Sequence, residues 1–404
     1  MLPLFEDGAG RRSADALALT GPGRVVDLEA LGLLLAPPAL LGEFIPRSPW
    51  KGLRRIPAGV PAPTPGSLST AFARSMAALI ADAEAIGVLL SGGLDSLAVL
   101  LYASQIAEGR RVVAFTTDLT DDTGTSAAAV VRRLLADLDL RTELIVLDPV
   151  HDRAEPIWTA TGPRLDAPPE VNAAAAERAA GLGVQILLSG DGADELLGVP
   201  RSTTAAVAGR RGAWAAARYV ADVASTGPGL PGEMAAAAAR LLPRQAGARL
   251  YWAANWPAWC DPVAPAVLAE PYRSAATDWA REWVDQQIAM HAMIGRSWAE
   301  ADAWDAAFPR EAIPPAGPVA EASPFLHQRF MAAALALPLG DRYDPGLPSA
   351  YLRCKAQVVR LLPASVLPAL PRHKQFFRTA LTESSAGGRI TPRCLNRPGW
   401  WRGS

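Results

Sequence analysis

Short apolar runs alternate with longer segments of helical periodicity between residues 67 and 188. The short runs predict buried strands at 86–90, 112–117, 143–147 and 184–188. The longer segments predict helices at 67–83, 96–108, 126–138 and 171–181. Strands that alternate with helices are typical of a parallel sheet covered by helices on both faces. The pattern therefore predicts an α/β fold with a doubly wound parallel sheet.

Two flanking regions lack this alternation. Within residues 1–65, an apolar-periodic segment at 25–35 is followed by a proline-rich run, which predicts a domain boundary. We expect one domain at 1–65 and a second at 66–404. From about residue 200 onward, proline breaks separate helical segments and no strand is predicted. A helical carboxy-terminal half is expected.

The residues after the first predicted strand have the composition of a phosphate-binding turn. They are Leu90, Ser91, Gly92, Gly93, Leu94, Asp95 and Ser96. The glycines allow the backbone to approach a phosphate closely, and the next helix presents free N–H groups at its N-terminus. The serines add hydroxyl donors, and the aspartate is placed to hold Mg²⁺ against the phosphate. The lysine of a P-loop is missing, and an ordinary glycine-rich turn is the alternative.

A second glycine-rich turn follows the last predicted strand. It comprises Ser189, Gly190, Asp191, Gly192, Ala193, Asp194 and Glu195. The carboxyl ends of parallel strands meet at one edge of a sheet, so we expect this turn to lie near the first. Asp95 and Asp194 would then bracket the Mg²⁺ of a triphosphate. The alternative is a capped helix start, with Asp191 or Asp194 as the N-cap.

The two turns together resemble those of the asparagine synthetase family, whose relatives include β-lactam synthetase and the lasso-peptide cyclases. Three further segments resemble motifs of that family in the same order, namely residues 323–329, 355–363 and 372–376. The resemblance extends from about residue 45 to about residue 380. It implies the PP-loop ATP pyrophosphatase fold, which binds ATP and Mg²⁺.

The resemblance also implies an ATP site. It assigns the β,γ-phosphates to the turn at 91–96, with further phosphate contacts at Gly190, Asp191 and Gly192. Phe115 and Thr116 match the strand whose backbone contacts adenine in the family.

Four charged side chains complete the implied machinery. The resemblance assigns the metal to Asp95 and Asp194, phosphate neutralisation to Lys355 and a transition-state contact to Lys374. Lysine is a compact point charge, which suits the negative charge that develops as pyrophosphate departs. Without the motifs, both lysines would be assigned to the solvent-exposed surface. Glu321 is a candidate base, one position out of register with the family's acidic residue.

Two departures from the family limit what is expected. The chain begins Met1-Leu2 and has no cysteine before Cys260, whereas glutamine-dependent members begin with a catalytic cysteine after the initiator methionine. No glutaminase activity is therefore expected, and residues 42–61 resemble only the end of the glutaminase domain. The resemblance thus implies a truncated remnant of a glutaminase-like domain and its linker at 1–65, and an ATP-binding synthetase domain at 66–404. His327 replaces an aspartate of the family motif, which puts any role of that position in doubt.

Composition narrows the classes of partner. The chain has 404 residues, half of them apolar, and a net charge of −1 from 39 basic and 40 acidic residues. That balance favours neither nucleic acid nor an anionic membrane as partner. No secretory signal or apolar span is recognised, and the three cysteines fit a reducing compartment, so a cytoplasmic location is expected. Trp252, Trp256 and Trp259 form a stripe with helical spacing, which favours core packing over a substrate slot.

The leading hypothesis is an AMP-forming amide ligase. A substrate carboxylate is adenylated and an amine displaces AMP, giving a lactam or macrolactam if both groups belong to one molecule. The partners would be a small-molecule or peptide substrate, with a precursor peptide or its processing proteins as a further option. The alternatives are an ammonia-dependent asparagine synthetase and a non-catalytic nucleotide-binding protein. NAD synthetases and tRNA-modifying enzymes share the first turn, but the second turn and the lack of a basic face disfavour them.

Overall fold

The computed structural model describes most of the chain. The described residues are 4–13, 15–20, 23–34, 47–56, 61, 63–159, 162–163, 169–199, 203–225, 229–255, 260–261, 268–294, 317–377 and 379–380. Among them, no helix combines the length and apolarity needed to cross a bilayer. Trp256, Trp259, residues 41–46 and residues 57–60, which entered the sequence predictions, lie outside the described residues.

The described residues include ten strands. In chain order they are β1 (Leu4–Asp7), β2 (Arg12–Ser13), β3 (Leu53–Ile56), β4 (Ala85–Leu89), β5 (Arg111–Thr117), β6 (Glu143–Leu147), β7 (Trp158–Thr159), β8 (Gly162–Pro163), β9 (Ile186–Leu188) and β10 (Ala320–Ala322).

The α-helices alternate with the strands in the first half of the chain and dominate the second half. They are Leu17–Thr20, Leu28–Leu34, Leu68–Leu79, Leu94–Ile106, Ala127–Asp137, Pro169–Gly181, Ala193–Leu197, Thr204–Arg211, Ala213–Ser225, Gly229–Ala239, Arg244–Asn255, Tyr272–Ile294, Gln328–Leu335, Ala350–Cys354 and Ala356–Leu361.

Five strands form the parallel sheet, in the order β10-β9-β4-β5-β6. From β4 the chain proceeds outward through β5 to β6, and it then returns to the other side of β4 to add β9 and β10. The strand order therefore reverses between β4 and β9. In open α/β sheets, ligands bind at the carboxyl ends of the strands beside such a reversal.

The sheet belongs to a compact unit made of residues 76–190, 313–322 and 365–404, called the sheet unit below. Its core is apolar on both faces of the sheet: Val88 and Leu188 are fully buried, as are Leu97 and Leu100 of the following helix. This burial explains why the strands read as continuous apolar runs in the sequence. The fold class predicted from the sequence is confirmed.

The four predicted strands and four predicted helices are all present, with bounds that shift by a few residues. The helix predicted at 96–108 is Leu94–Ile106, because Gly93 is its N-cap. The prediction of no strand after residue 200 is wrong, since β10 pairs with β9 at residues 320–322. The sequence Ala-Glu-Ala has no β-branched or aromatic residue, so only pairing with β9 makes it a strand.

A second compact unit, called the helical unit, comprises residues 1–75, 191–312 and 323–364. It contains a small antiparallel sheet in the order β2-β1-β3, which the sequence patterns did not predict. One of its cores is formed around Tyr251, Trp252 and Val284, so Trp252 packs internally as favoured from the sequence. The expected division at residues 65 and 66 remains a prediction.

Candidate active site

The turn after β4 is held closed by its own serines. Leu90 donates its N–H to the carbonyl of Phe115 at 2.7 Å, which extends the pairing with β5. The Ser96 hydroxyl oxygen accepts from the Ser91 N–H at 3.2 Å and donates to the Gly93 carbonyl at 3.2 Å. These bonds fix the shape of the turn without any ligand.

The same turn leads directly into a helix. Gly93 is the N-cap residue and makes no side-chain capping bond to the first helical N–H groups. Gly92 has φ +80°, a conformation that favours glycine. Asp95, in the first helical turn, is partly buried. The positive end of a helix dipole fits a phosphate, and the carboxylate fits its metal.

Gly190, in the first half of the second glycine turn, lies directly against the turn after β4. A Cβ atom placed on Gly190 would lie 2.9 Å from the Ser96 nitrogen and 3.0 Å from the Asp95 Cβ. Such distances are closer than side chains tolerate, so residue 190 has to be glycine for this approach. The structure therefore brings Gly190, Asp95 and Ser96 together beside the reversal between β4 and β9.

The acidic end of the second turn forms a partly buried ion pair within the helical unit. Gly192, not an aspartate, is the N-cap of helix Ala193–Leu197, so the capping roles considered for Asp191 and Asp194 are wrong. The Lys355 ammonium lies 2.5 Å from the Asp194 carboxylate; their side chains are 4% and 51% exposed respectively. A surface position for Lys355 is thus excluded, because its ammonium is buried against a carboxylate partner.

Asp95 belongs to the sheet unit and Asp194 to the helical unit. A metal shared by the two carboxylates remains a prediction. Asp191 is tied to the Ser323 hydroxyl, which donates to its carbonyl oxygen at 2.6 Å.

The residues predicted to line an adenine site lie on β5. Phe115 is fully buried, and its carbonyl is already bonded to Leu90. Thr116 is 3% exposed, and its hydroxyl has no hydrogen-bond partner among the described residues. A buried hydroxyl usually has a partner, so Thr116 is a candidate ligand contact at the end of the strand.

Lys374 and Glu321 both belong to the sheet unit. Lys374 is exposed, with its ammonium 6.0 Å from the centroid of the Phe376 ring. Glu321 lies in the edge strand β10, opposite Leu187 of β9, and is partly buried. Their assignments as transition-state contact and base remain predictions.

His327 has a local role. Its Nδ1 accepts the N–H of Arg329 at 3.3 Å and so caps helix Gln328–Leu335, and it lies 3.2 Å from the Ser75 hydroxyl oxygen. Burial lowers the pKa of His327, with a contribution from Arg329, which favours the neutral ring. The aspartate of the family motif is also a good N-cap, so this replacement preserves the cap.

Sequence reasoning missed two polar residues beside the first turn. Asp121 follows β5 at the carboxyl edge of the sheet, and Gln375 is the neighbour of Lys374 in the chain. Their side chains are joined by a hydrogen bond of 3.1 Å. The polar run Asp121-Asp122-Thr123, which begins a few residues after the end of a predicted strand, was the available signal.

The family assignment follows from a comparison with family models. The asparagine synthase model matches residues 67–389, which is most of the chain. The chain therefore belongs to the asparagine synthase family, which implies an ATP-dependent ligase and accounts for two glycine turns at one sheet edge. No curated protein matches the chain.

Proposed function

We propose that this protein forms an amide bond by adenylating a carboxylate. The carboxylate oxygen attacks the α-phosphorus of ATP and pyrophosphate leaves; an amine then attacks the acyl carbon and AMP leaves. The observation that supports this most directly is the contact of Gly190 with Asp95 and Ser96, because it puts two phosphate-type turns at the ligand-binding edge of the sheet.

In this proposal, two acidic and two basic side chains handle the charge of the phosphates. Asp95 and Asp194 would hold Mg²⁺, which would supply positive charge against the departing pyrophosphate. Lys355 neutralises phosphate charge, and Lys374 contacts the transition state. Glu321 takes the proton from the attacking amine.

We further propose that the nucleophile is an amine of the substrate itself. A natural-product lactam or macrolactam, of the kind that a lasso-peptide cyclase makes, is the product class, with a precursor peptide as substrate.

ATP–pyrophosphate exchange tests the first half-reaction. Purified protein is incubated with Mg²⁺, ATP, labelled pyrophosphate and a panel of carboxylic acids and peptides, without RNA. Label should enter ATP with at least one acid, and addition of an amine should release AMP. Formation of ADP, or no exchange with any acid, would contradict the proposal and favour a nucleotide-binding role without catalysis.

Mass spectrometry separates the product classes. A closed lactam has the mass of the substrate minus one water, whereas an intermolecular amide also gains the mass of the amine. Exchange with aspartate followed by capture of free ammonia would instead identify an asparagine synthetase that uses ammonia.

A further inference from the structure

The segment around Lys374 is fastened to the loop that follows β5. The N–H of Asp122 donates to the carbonyl of Phe376 at 2.7 Å, and the N–H of Thr379 donates to the Asp122 carboxylate at 3.1 Å. All of these residues belong to the sheet unit. The chain is thus anchored by its backbone on the carboxyl-terminal side of Lys374.

A side chain provides the second anchor. The Gln375 amide donates to one oxygen of the Asp121 carboxylate at 3.1 Å. The other oxygen of Asp121 accepts from the hydroxyl of Thr123 at 2.6 Å and from the N–H groups of Thr123 and Thr125 at 2.9 and 2.8 Å. These bonds, the Thr123 hydroxyl first, lower the pKa of Asp121 to about 2. Asp121 is therefore a fixed acceptor that stays charged at neutral pH.

The same glutamine reaches the first glycine turn. A Cβ atom placed on Gly92 would lie 3.4 Å from the carbonyl oxygen of the Gln375 amide. That oxygen is buried and has no hydrogen-bond partner among the described residues. The amide thus extends from Asp121 to the wall of the turn that we propose binds pyrophosphate. A buried polar atom facing such a turn needs a functional explanation.

We propose that Asp121 and Gln375 are positioning residues, which hold the backbone of Lys374 at the rim of the turn formed by residues 91–96. This inference rests on the proposed function, since it concerns where the phosphate-directed lysine is held. Lys374 has a long and flexible side chain, so its mean position follows its backbone. Because Gln375 is fixed, the Lys374 ammonium can reach only a limited region. This restriction lowers the entropic cost of contacting a phosphate.

Amine acetylation measures the placement of Lys374 directly. The full-length protein is treated with an N-hydroxysuccinimide ester of acetic acid, with and without magnesium pyrophosphate as the probe, and Lys374 is followed by peptide mass spectrometry. At a probe concentration about ten times the dissociation constant, acetylation of Lys374 in the wild type should slow by about tenfold. In Gln375→Met, which keeps the size of the side chain and loses the bond to Asp121, most of this protection should disappear.

Exchange kinetics give the second readout. Loss of a hydrogen bond to a carboxylate reduces the population of the held arrangement by about tenfold or more. The kcat of ATP–pyrophosphate exchange in Gln375→Met should fall by about that factor, while the KM for ATP stays within about twofold. Asp148→Asn is the matched control. Asp148 also closes a turn, accepting the N–H of Val150 at 2.7 Å, and that variant should behave as the wild type.

The relative activity of two variants at residue 375 distinguishes positioning from a general structural effect. With Asp121 present, Gln375→Glu should have a lower kcat for exchange than Gln375→Met, because two carboxylates face each other. In the Asp121→Asn background, Gln375→Glu should have the higher kcat, because its carboxylate accepts a hydrogen bond from the asparagine amide. If the negative charge of Gln375→Glu only repelled pyrophosphate, this variant would be the less active one in both backgrounds.

Two results would overturn the proposal. If Lys374 is protected in the wild type and equally in Gln375→Met, with unchanged kcat, Asp121 and Gln375 do not position it. If pyrophosphate does not protect Lys374 in the wild type, both the positioning and the role of Lys374 are wrong. The proposed function fails separately, when no acid supports exchange.

Discussion

Two sets of polar groups, one in each unit, differ in how completely they are paired. In the helical unit, the Asp222 carboxylate accepts two bonds of 2.6 Å from Arg353 and another of 2.6 Å from Tyr343, so this set is satisfied internally. In the sheet unit, Thr116 and Gln375 each keep a buried polar atom without a hydrogen-bond partner among the described residues. A complete network stabilises a fold, whereas unpaired polar atoms at a ligand-binding edge are suited to binding.

The largest effect is expected at Lys374, where the comparison predicts a loss of activity without a loss of stability. Lys374→Ala should reduce ATP–pyrophosphate exchange by about a thousandfold, or about 4 kcal/mol, because a charge that stabilises the transition state is lost. The melting temperature should not change, since Lys374 is exposed. Asp95→Asn serves as the companion variant. Normal exchange in either variant would refute the assigned roles.

A loss of stability without a loss of activity is expected for the Asp222 network of the helical unit. Asp222→Ala leaves the buried Arg353 guanidinium without its carboxylate and should lower the free energy of unfolding by about 3 kcal/mol, measured by urea denaturation. Exchange per folded molecule should be unchanged. The control is Asp261→Ala, at an exposed pair with Arg281, where a change of less than about 1 kcal/mol is expected. A similar loss in both variants would contradict the comparison.

Gly190→Ala should affect activity and stability together. The new methyl group meets the backbone at Ser96 and Asp95, and relieving that overlap should cost about 2 kcal/mol and separate the two turns. Both the melting temperature and the exchange rate are measured. Gly181→Ala is the control, because a Cβ atom there meets nothing within 4 Å. If Gly190→Ala behaves like Gly181→Ala, the two turns are not in contact.

The smallest effect concerns acid stability. The folded-state pKa of Asp121 is about 2, below the ordinary value of 3.8. Its stabilisation is therefore fully present above pH 3.8 and is lost as the pH falls toward 2. The difference in urea midpoint between the wild type and Asp121→Asn should shrink through that window. A difference that is constant with pH would mean that the charge of Asp121 contributes nothing to folding.

Features that depend only on neighbouring residues could be predicted from the sequence. The turn at residues 91–96 was predictable because its own glycines and serines determine its geometry. The pairing of β10 with β9 was not readable, because residues 320–322 gain strand structure only from a partner about 130 positions earlier.

In the candidate site too, residue identities could be predicted from the sequence, whereas contacts between distant residues could not. The motif residues Asp95, Asp194, Lys355 and Lys374 were identified from sequence, but their environments were not: Lys355 is buried against Asp194, and Lys374 is exposed. The bond between Asp121 and Gln375 joins residues 254 positions apart, and no periodic pattern carries information over that separation. Such contacts depend on how the whole sheet unit closes.

The late position of β10 has a consequence for biosynthesis. The turn at residues 91–96 and its neighbouring strands emerge early during translation, whereas the edge strand that carries Glu321 emerges only after about 320 residues. A nascent or truncated chain that ends earlier therefore contains the turn at residues 91–96 but neither β10 nor Lys355 and Lys374. Under the proposed function, adenylation would have to wait until the segment that carries Lys374 has been synthesised.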